Sequence, residues 1–476
     1  LNQAFKNGIF FSFIGRYGNF LITLAVNLLL SRMLTPNEYG QVGNVLIFIS
    51  FFQLLSNAGI GAAIIQHQDL TAADIESIYS FSGILSLMLM LLFPIIGLLL
   101  SFFYGSIQYF YLSLPFALAV LFYSLIVIPN AYLMKELRFK VLNLTQLLTS
   151  FVGGVSGVIA ALAGLGVYAL VINTVFATFL DYFVKIYITR MKFGKLRRDS
   201  LDKVLNFSIN MFFGNVLQYF SQNFDNFLVG KVYGASALGN YGKAYQLLRY
   251  PNYLVSGIFT SILVPVLADK QDNINLLRES YYKVMKTLAY IGFALSSFFI
   301  IDAKEIILFL FGNQWGKAVL PFKYLSISVW VQVLYSIISP MFEVRNLTKN
   351  MRKLIQKNTL IMVSFIIVGI ILGNISRLSL LVSAGFITTY FISLYSLSKD
   401  VLRTSFFEVI RKLIKPIIMS TIIAICLIIA KNILIPNLHS TFLILFSQGS
   451  VFILVSLIIL SIFGEMKNIV NIFLRK

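Results

Sequence analysis

The chain has 476 residues, of which 58% are apolar and only 12% charged, and its mean hydropathy of +0.85 excludes the soluble globular classes. At ~20 apolar residues per membrane crossing, this apolar stock supplies roughly 13 or 14 spanning helices. A net charge of +20 would suggest a nucleic-acid surface in a soluble protein, but in a membrane protein basic residues gather in cytoplasmic loops, so the excess first reports topology and implies no nucleic-acid partner.

Taken in chain order, apolar runs of spanning length predict helices over 8–30, 42–64, 78–101, 110–133, 142–163 and 166–188. A basic connection over 191–203 closes this first set of six. A second set follows over 204–229, 240–266, 284–303, 320–343, 356–374 and 379–398, and then a pair over 414–430 and 442–463. The expected fold is an all-α polytopic membrane protein of about 14 transmembrane helices. Its organisation reads as an N-terminal lobe (1–190), a basic cytoplasmic linker (191–203), a C-terminal lobe (204–400), and an additional helix pair with a cytoplasmic tail (401–476). The first apolar run is of spanning length and lacks a small-residue cleavage site, so it reads as a helix and not as a signal peptide.

With the N-terminus placed in the cytoplasm, 28 of the 38 basic residues fall in inside segments and 8 in outside segments. This asymmetry supports an even number of spans with both termini cytoplasmic. Arg16 and Arg249 remain inside predicted spans. No connection reaches 30 residues and no GxxxxGK[ST] loop is present, which argues against a nucleotide-binding or glycosyltransferase domain and against an ATP-driven pump. The single cysteine, Cys426, lies in an apolar run, and the two histidines, His67 and His439, are far apart. No disulfide, metal site, cofactor or Cys/His nucleophile is therefore expected.

The two six-helix sets repeat each other. Ser31 to Asn44 (SRMLTPNEYGQVGN) aligns without a gap on Gly230 to Lys243 (GKVYGASALGNYGK) at an offset of 199, pairing Arg32 with Lys231, Gly40 with Gly239 and Gly43 with Gly242. Carried back one helix, the offset pairs Arg16 with Asn215, Asn19 with Gln218, Thr23 with Gln222 and Asn27 with Asn226. Ser12, Arg16, Asn19, Thr23 and Asn27 recur every three or four residues and so share one helix face; Ser208, Asn215, Gln218, Gln222 and Asp225 do the same in the seventh helix. Polar side chains in hydrocarbon must be satisfied. Stripes of this length therefore face protein or water, and their bulk favours a water-filled central cavity over interhelical packing. Both sets begin inside, which makes the repeats parallel, with two lobes related by an axis along the membrane normal.

Arg16 lies about 8 residues, or ~12 Å, into its helix, and a charge at that depth is a candidate functional group. Arg249, with Gln246, Ser256 and Thr260 on a similar face, is the second candidate, and Lys243, near the outer mouth, the third. Apart from Asp302 at the end of 284–303, the predicted spans hold only Asp181, Asp225 and Glu343 as acidic residues, so cations in the cavity are not all neutralised; Asp225 is a candidate for ion coupling or for pairing with Arg16 or Arg249.

Several segments carry a family resemblance: LLLSRMLTPNEYG (Leu28 to Gly40), NAGIGAAIIQHQDL (Asn57 to Leu70), IPNAYLMKELRFK (Ile128 to Lys140), GLGVYAL (Gly164 to Leu170), NFDNFLVGKVYGASALGNYGKAYQLLRYP (Asn223 to Pro251) and LFGNQWGKA (Leu310 to Ala318). In order and spacing they resemble the polysaccharide-transporter branch of the multidrug/oligosaccharidyl-lipid/polysaccharide (MOP) superfamily, the Wzx-type flippases, over residues 8 to about 400. The resemblance implies a transporter of the bacterial cell membrane, not an enzyme, that moves an undecaprenyl-diphosphate-linked oligosaccharide from the cytoplasmic to the outer leaflet. It also implies that Arg16 and Arg249, on the first and eighth helices, bind the lipid diphosphate; Lys243 is added to that set not by the resemblance but by its place near the outer mouth. A polysaccharide polymerase and a chain-length regulator are the implied protein partners. The rival readings are a multidrug or cation antiporter of the same superfamily, disfavoured by the basic and not acidic cavity charges, and a membrane-embedded polysaccharide polymerase, disfavoured by the short external loops. The final helix pair, rich in Ile and Leu, reads as a lipid-facing addition that docks partners.

Overall fold

A computed structural model describes residues 3–57, 59–67, 69–268, 273–434, 438 and 440–466, with side chains except at 3–10, 205–215, 217, 218, 221, 222, 255–268 and 434. The described residues are mostly helical and contain no strand. Eleven of their helices are long and apolar enough to cross a membrane, or twelve if one bent pair makes a single crossing. Two further long helices stand where the seventh and eighth spans are predicted, so the expected fourteen is reached only if both of these also cross. Contacts divide the chain into two units, Leu1–Gly239 and Asn240–Lys476.

Unit 1 contains α1 (Gln3–Met33), α2 (Pro36–Asn57), α3 (Ile60–Gln66), α4 (Ala72–Tyr104), α5 (Gln108–Lys135), α6 (Phe139–Leu162), α7 (Tyr168–Thr189) and α8 (Arg198–Tyr233). The second predicted span, 42–64, is divided here into α2 and α3, with Gly59 at φ 81 between them, a left-handed conformation that favours glycine. The helix starts are written into the sequence. Thr35 and Glu38 bond each other's backbone N–H groups around the start of α2, and Thr71 and Asp74 form the same capping box on α4. Small residues make the seams: Gly153 and Gly157 of α6 take the backbone of α7 at Ala169 to Ala177, while Gly154 takes Val26 of α1. α8, which the repeat assigns to the second set of six, packs on α2, α3 and α4 of this unit.

The repeat has a structural counterpart. Gly40 lies against the Ala235 carbonyl so closely that no Cβ would fit, and Gly239 lies as closely on the Pro36 carbonyl. Positions 36 and 235, like 40 and 239, are separated by the sequence offset of 199. The two close approaches are thus each other's repeat counterparts, as a local two-fold relation requires.

The linker is an extended strap over residues 190–197. Phe193 stacks on Tyr79 at 4.5 Å, Ser80 Oγ donates to the Gly194 carbonyl at 2.8 Å, and the Arg197 N–H donates to Ser77 Oγ at 2.8 Å. Ser200 and Lys203 then donate to Asp74. The basic connection is therefore pinned to the first turns of α4.

Unit 2 contains most of α9 (Ala235–Ala268), then α10 (Ile274–Ile301), α11 (Ala303–Phe311), a 3-10 turn over 313–318, α12 (Val319–Ser326), α13 (Val329–Tyr335), α14 (Ile338–Val344), α15 (Thr348–Ile371), α16 (Ile375–Ser396), α17 (Phe406–Arg411), α18 (Ile414–Leu434) and α19 (Thr441–Ile462). The single predicted helix over 320–343 is instead broken, with a 55° bend between 313–326 and 329–344. Ser326 and Ser328 donate back to the carbonyls of Phe322 and Leu325, and the Ser328 N–H also turns to Leu325, so the regular hydrogen-bond ladder stops there.

α10 is the post of this unit and packs on α12, α13 and α18. Gly292 admits the Trp330 backbone, and Phe293 stacks on Trp330 at 4.3 Å. The final helix pair is not wholly a lipid-facing addition. Met419, Ile423 and Leu427 of α18 are buried with Tyr290 and Ala294 of α10 and with Ile459 of α19, and Ser297 meets Ser420 at 2.6 Å.

Candidate substrate site

In unit 1 the polar stripe of α1 is set by how that helix packs. Gly15 and Gly18 lie against Asn143 and Leu147 of α6, and Val26 against Gly154. Arg16, Asn19 and Asn27 each follow one of these seam residues by one position, which turns them about 100° from the seam. Ser12, Arg16, Asn19 and Asn27 are half-buried and Thr23 is exposed. Part of the stripe is satisfied within its own helix, since Asn27 Nδ2 donates to the Thr23 carbonyl at 2.9 Å and Ser31 Oγ to the Asn27 carbonyl. Asn19 keeps a buried Oδ1 with no hydrogen-bond partner among the described residues.

The matching stripe of α8 is placed in part. The side chains of Ser208, Asn215, Gln218 and Gln222 lie outside the described residues. Asp225 is buried, and its carboxylate accepts from the Asn226 N–H at 2.8 Å. Tyr219 Oη donates to the Ile47 carbonyl, Phe227 stacks on Phe103, and Lys231 sits over the Phe103 ring at 4.2 Å, so this helix presents its aromatic side to α2 and α4.

In unit 2 the two basic residues of α9 are held in opposite ways. Arg249 is exposed, and its guanidinium stacks over Tyr245 at 4.7 Å, one helical turn back. Tyr245 in turn lies beside Tyr241 and Phe386. Lys243 is only 3% exposed, with its Nζ 5.0 Å from the Phe311 ring centroid and 5.5 Å from that of Trp315. Ser256 and Thr260, expected on the face of Arg249, lie outside the residues whose side chains are described, while Gln246 is half-buried.

Residues 29–320 match the family described as polysaccharide biosynthesis protein. The chain belongs to that family. It is similar to a Klebsiella pneumoniae protein named as an uncharacterized membrane protein in the cps region, 27% identical over 299 residues that cover 60% of each chain. It is also similar to the lipopolysaccharide biosynthesis protein WzxC of Escherichia coli (strain K12), 23% identical over 310 residues, 61% of this chain and 60% of the relative. The chain thus spans about 60% of the length of the curated relatives it matches. The solved structure of the lipid II flippase MurJ in an inward closed conformation matches over 96% of this chain and 98% of its own, with a TM-score of 0.78 at 16% identity. The chain is accordingly a multi-pass membrane protein with the MurJ fold, and the family resemblance read from its motifs is borne out.

One further cation is buried in unit 1. Lys185, counted with the inside basic residues although the predicted span 166–188 contains it, is 4% exposed and donates to Asp181 at 2.7 Å, one turn earlier on α7. The signal was available in the acid-to-lysine spacing of four, with the acid on the N-terminal side.

Proposed function

We propose that the protein is a flippase that carries an undecaprenyl-diphosphate-linked oligosaccharide from the inner to the outer leaflet of the bacterial cell membrane by alternating access. The product serves exopolysaccharide, capsule, teichuronic-acid or O-antigen-type assembly. The reading rests on family membership, on a relative named for lipopolysaccharide biosynthesis and on the fold of a lipid II flippase. The observation that carries it to residues is that an arginine stands in a polar or aromatic setting in each unit: Arg16 on the stripe of α1, and Arg249 over Tyr245 on α9.

A diphosphate with several sugars cannot cross hydrocarbon unaided. Arg16 and Arg249 would take phosphate oxygens through their planar donor forks, while Asn19, Thr23 and Asn27, with Asn215, Gln218 and Gln222, hydrate the glycan. Lys243 joins them only when the Phe311 and Trp315 rings move off it. Asp225 is the proposed ion-coupling group. In this reading the two six-helix repeats, 1–190 and 204–400, act as lobes joined by 191–203. Both termini are cytoplasmic, and the last pair, 401–476, stands beside a polymerase and a chain-length regulator. The membrane potential supplies ~2.3 kcal/mol per charge per 100 mV, so an anion of about −2 leaving an inside-negative cell gains roughly 4 to 5 kcal/mol, and ATP is not required.

Arg16→Ala and Arg249→Ala are tested in a strain lacking its own flippase, with expression checked in parallel. Loss of polymer at normal expression supports the diphosphate role. Wild-type complementation by both variants overturns it.

A further inference from the structure

At the far end of α10 and α18, three ionisable side chains meet with unequal charge. Lys431 of α18 donates to the Ile301 carbonyl at 2.7 Å and to Glu305 Oε2 at 2.7 Å. Its Nζ stands 3.6 Å from Asp302 Oδ1, beyond hydrogen-bond reach. Asp302 is fully buried, and neither of its carboxylate oxygens takes a hydrogen bond. It occupies the cap position of α11, where an aspartate ordinarily accepts from the first-turn N–H groups; here the side chain makes no such bond.

With all three groups ionised, the cluster would carry a net −1 away from water, an expensive arrangement. One added proton makes it neutral. A metal ion fits poorly, because the Lys431 ammonium already holds Glu305 and would repel a second cation. Few other charges compete. α19 has no ionisable side chain over Thr441–Ile462. The next such group on α10 is Tyr290, twelve residues or about 18 Å back, and on α18 it is the neutral Cys426 thiol, five residues before Lys431, with Lys415 at the opposite end. Lys304 of α11, Lys317 of the 3-10 turn and Lys323 of α12 are exposed, Lys243 lies beyond Phe311, and His439 lies outside the described residues.

We propose that Asp302, Glu305 and Lys431 form a binding site for one proton at the joint between the final helix pair and α10–α11. Burial pushes the Asp302 carboxyl up to about 6, with Lys431 opposing and Glu305 adding to the rise, which agrees with the geometry. The site needs no contact with transported substrate, so it stands apart from the flippase reading and is tested without a transport assay.

The test is an infrared pH titration of the purified full chain in lipid nanodiscs, from about pH 4 to about pH 8. The wild type should show one protonated-carboxyl band with a midpoint near 6 that is absent from Asp302→Asn. Lys431→Met, which removes the opposing cation, should raise proton affinity at least about tenfold, and Glu305→Gln should lower it. The opposite directions decide the matter even where Asp302→Asn does not fold. Superimposable wild-type and Asp302→Asn titrations, or a midpoint unmoved by both neighbour variants, overturn the proposal.

Discussion

Lys185 in unit 1 and Lys243 in unit 2 are about equally buried, at 4% and 3% exposure, yet they are held by different physics. Lys185 bonds Asp181 on its own helix, so its neutralisation is local and survives any movement of α7 as a body. Lys243 lies over rings carried by α11 and the turn after it, about 70 residues further along the chain. This aromatic part of its setting holds only while that segment stays in place. A buried cation with a carboxylate on the same helix behaves as a structural pair, whereas one covered by a distant aromatic segment can be uncovered. Neither resembles Arg16 and Arg249, which are half-buried and exposed.

The largest expected effect separates the arginines from the lysines. Arg16→Lys and Arg249→Lys keep a positive charge and lose the donor fork, and each should lower glycolipid translocation roughly tenfold or more, about 1.4 kcal/mol; the alanine variants should abolish it. Full activity in both lysine variants would mean that charge alone, without bidentate geometry, serves the site. Next comes the structural pair. Breaking it with Asp181→Asn or Lys185→Met should cost about 3–5 kcal/mol, because an uncompensated charge stays buried, while Lys185→Met with Asp181→Leu recovers most of the loss. Unfolding in detergent measures all three variants. Additive single losses would show that the pair does not compensate itself.

These contrasts also mark what could be read from the chain alone. Helices follow from apolar runs of spanning length, and the offset of 199 pairs Gly40 with Gly239, though not the close backbone contact that each makes. The break between α12 and α13 was hidden because Ser326 and Ser328 are ordinary residues in an apolar run until their hydroxyls turn back on the helix. The seating of Lys243 was hidden for another reason: spacing reports which face of α9 it occupies, but not that Trp315, 72 residues later, closes over that face. The cluster at Asp302 was unreadable on the same ground. Lys431 counts as an external loop charge in the sequence, and only the packing of α18 on α10 brings it to Glu305. Arg16 and Arg249, by contrast, stand out by charge and depth, and the structure leaves both accessible in part.

The proton site extends the comparison to a lysine shared by two carboxylates. Because burial lifts the Asp302 carboxyl from 3.8 to about 6, the folded state binds more protons than the unfolded state between those values. Stability therefore falls as pH rises from about 4 to about 6 and is then level, a loss of about 3 kcal/mol at 1.36 kcal/mol per pH unit. Unfolding midpoints across that window measure it, and Asp302→Asn should remove this component of the slope. An unchanged slope in the variant would place the proton elsewhere.

The smallest effect on stability is expected at Lys243 itself. Lys243→Met keeps the length of the side chain and removes the charge, trading the attraction of the Phe311 and Trp315 rings against the cost of burying an ammonium. These nearly cancel, so stability should stay within about 1 kcal/mol of wild type. Translocation is the sharper readout. If the aromatic cover moves and Lys243 then reaches a phosphate, the variant loses transport at unchanged stability, and its loss should be smaller than that of Arg249→Ala because Lys243 contributes only after the cover has opened. Wild-type transport in Lys243→Met would remove this residue from the substrate site and leave it, like Lys185, a structural cation.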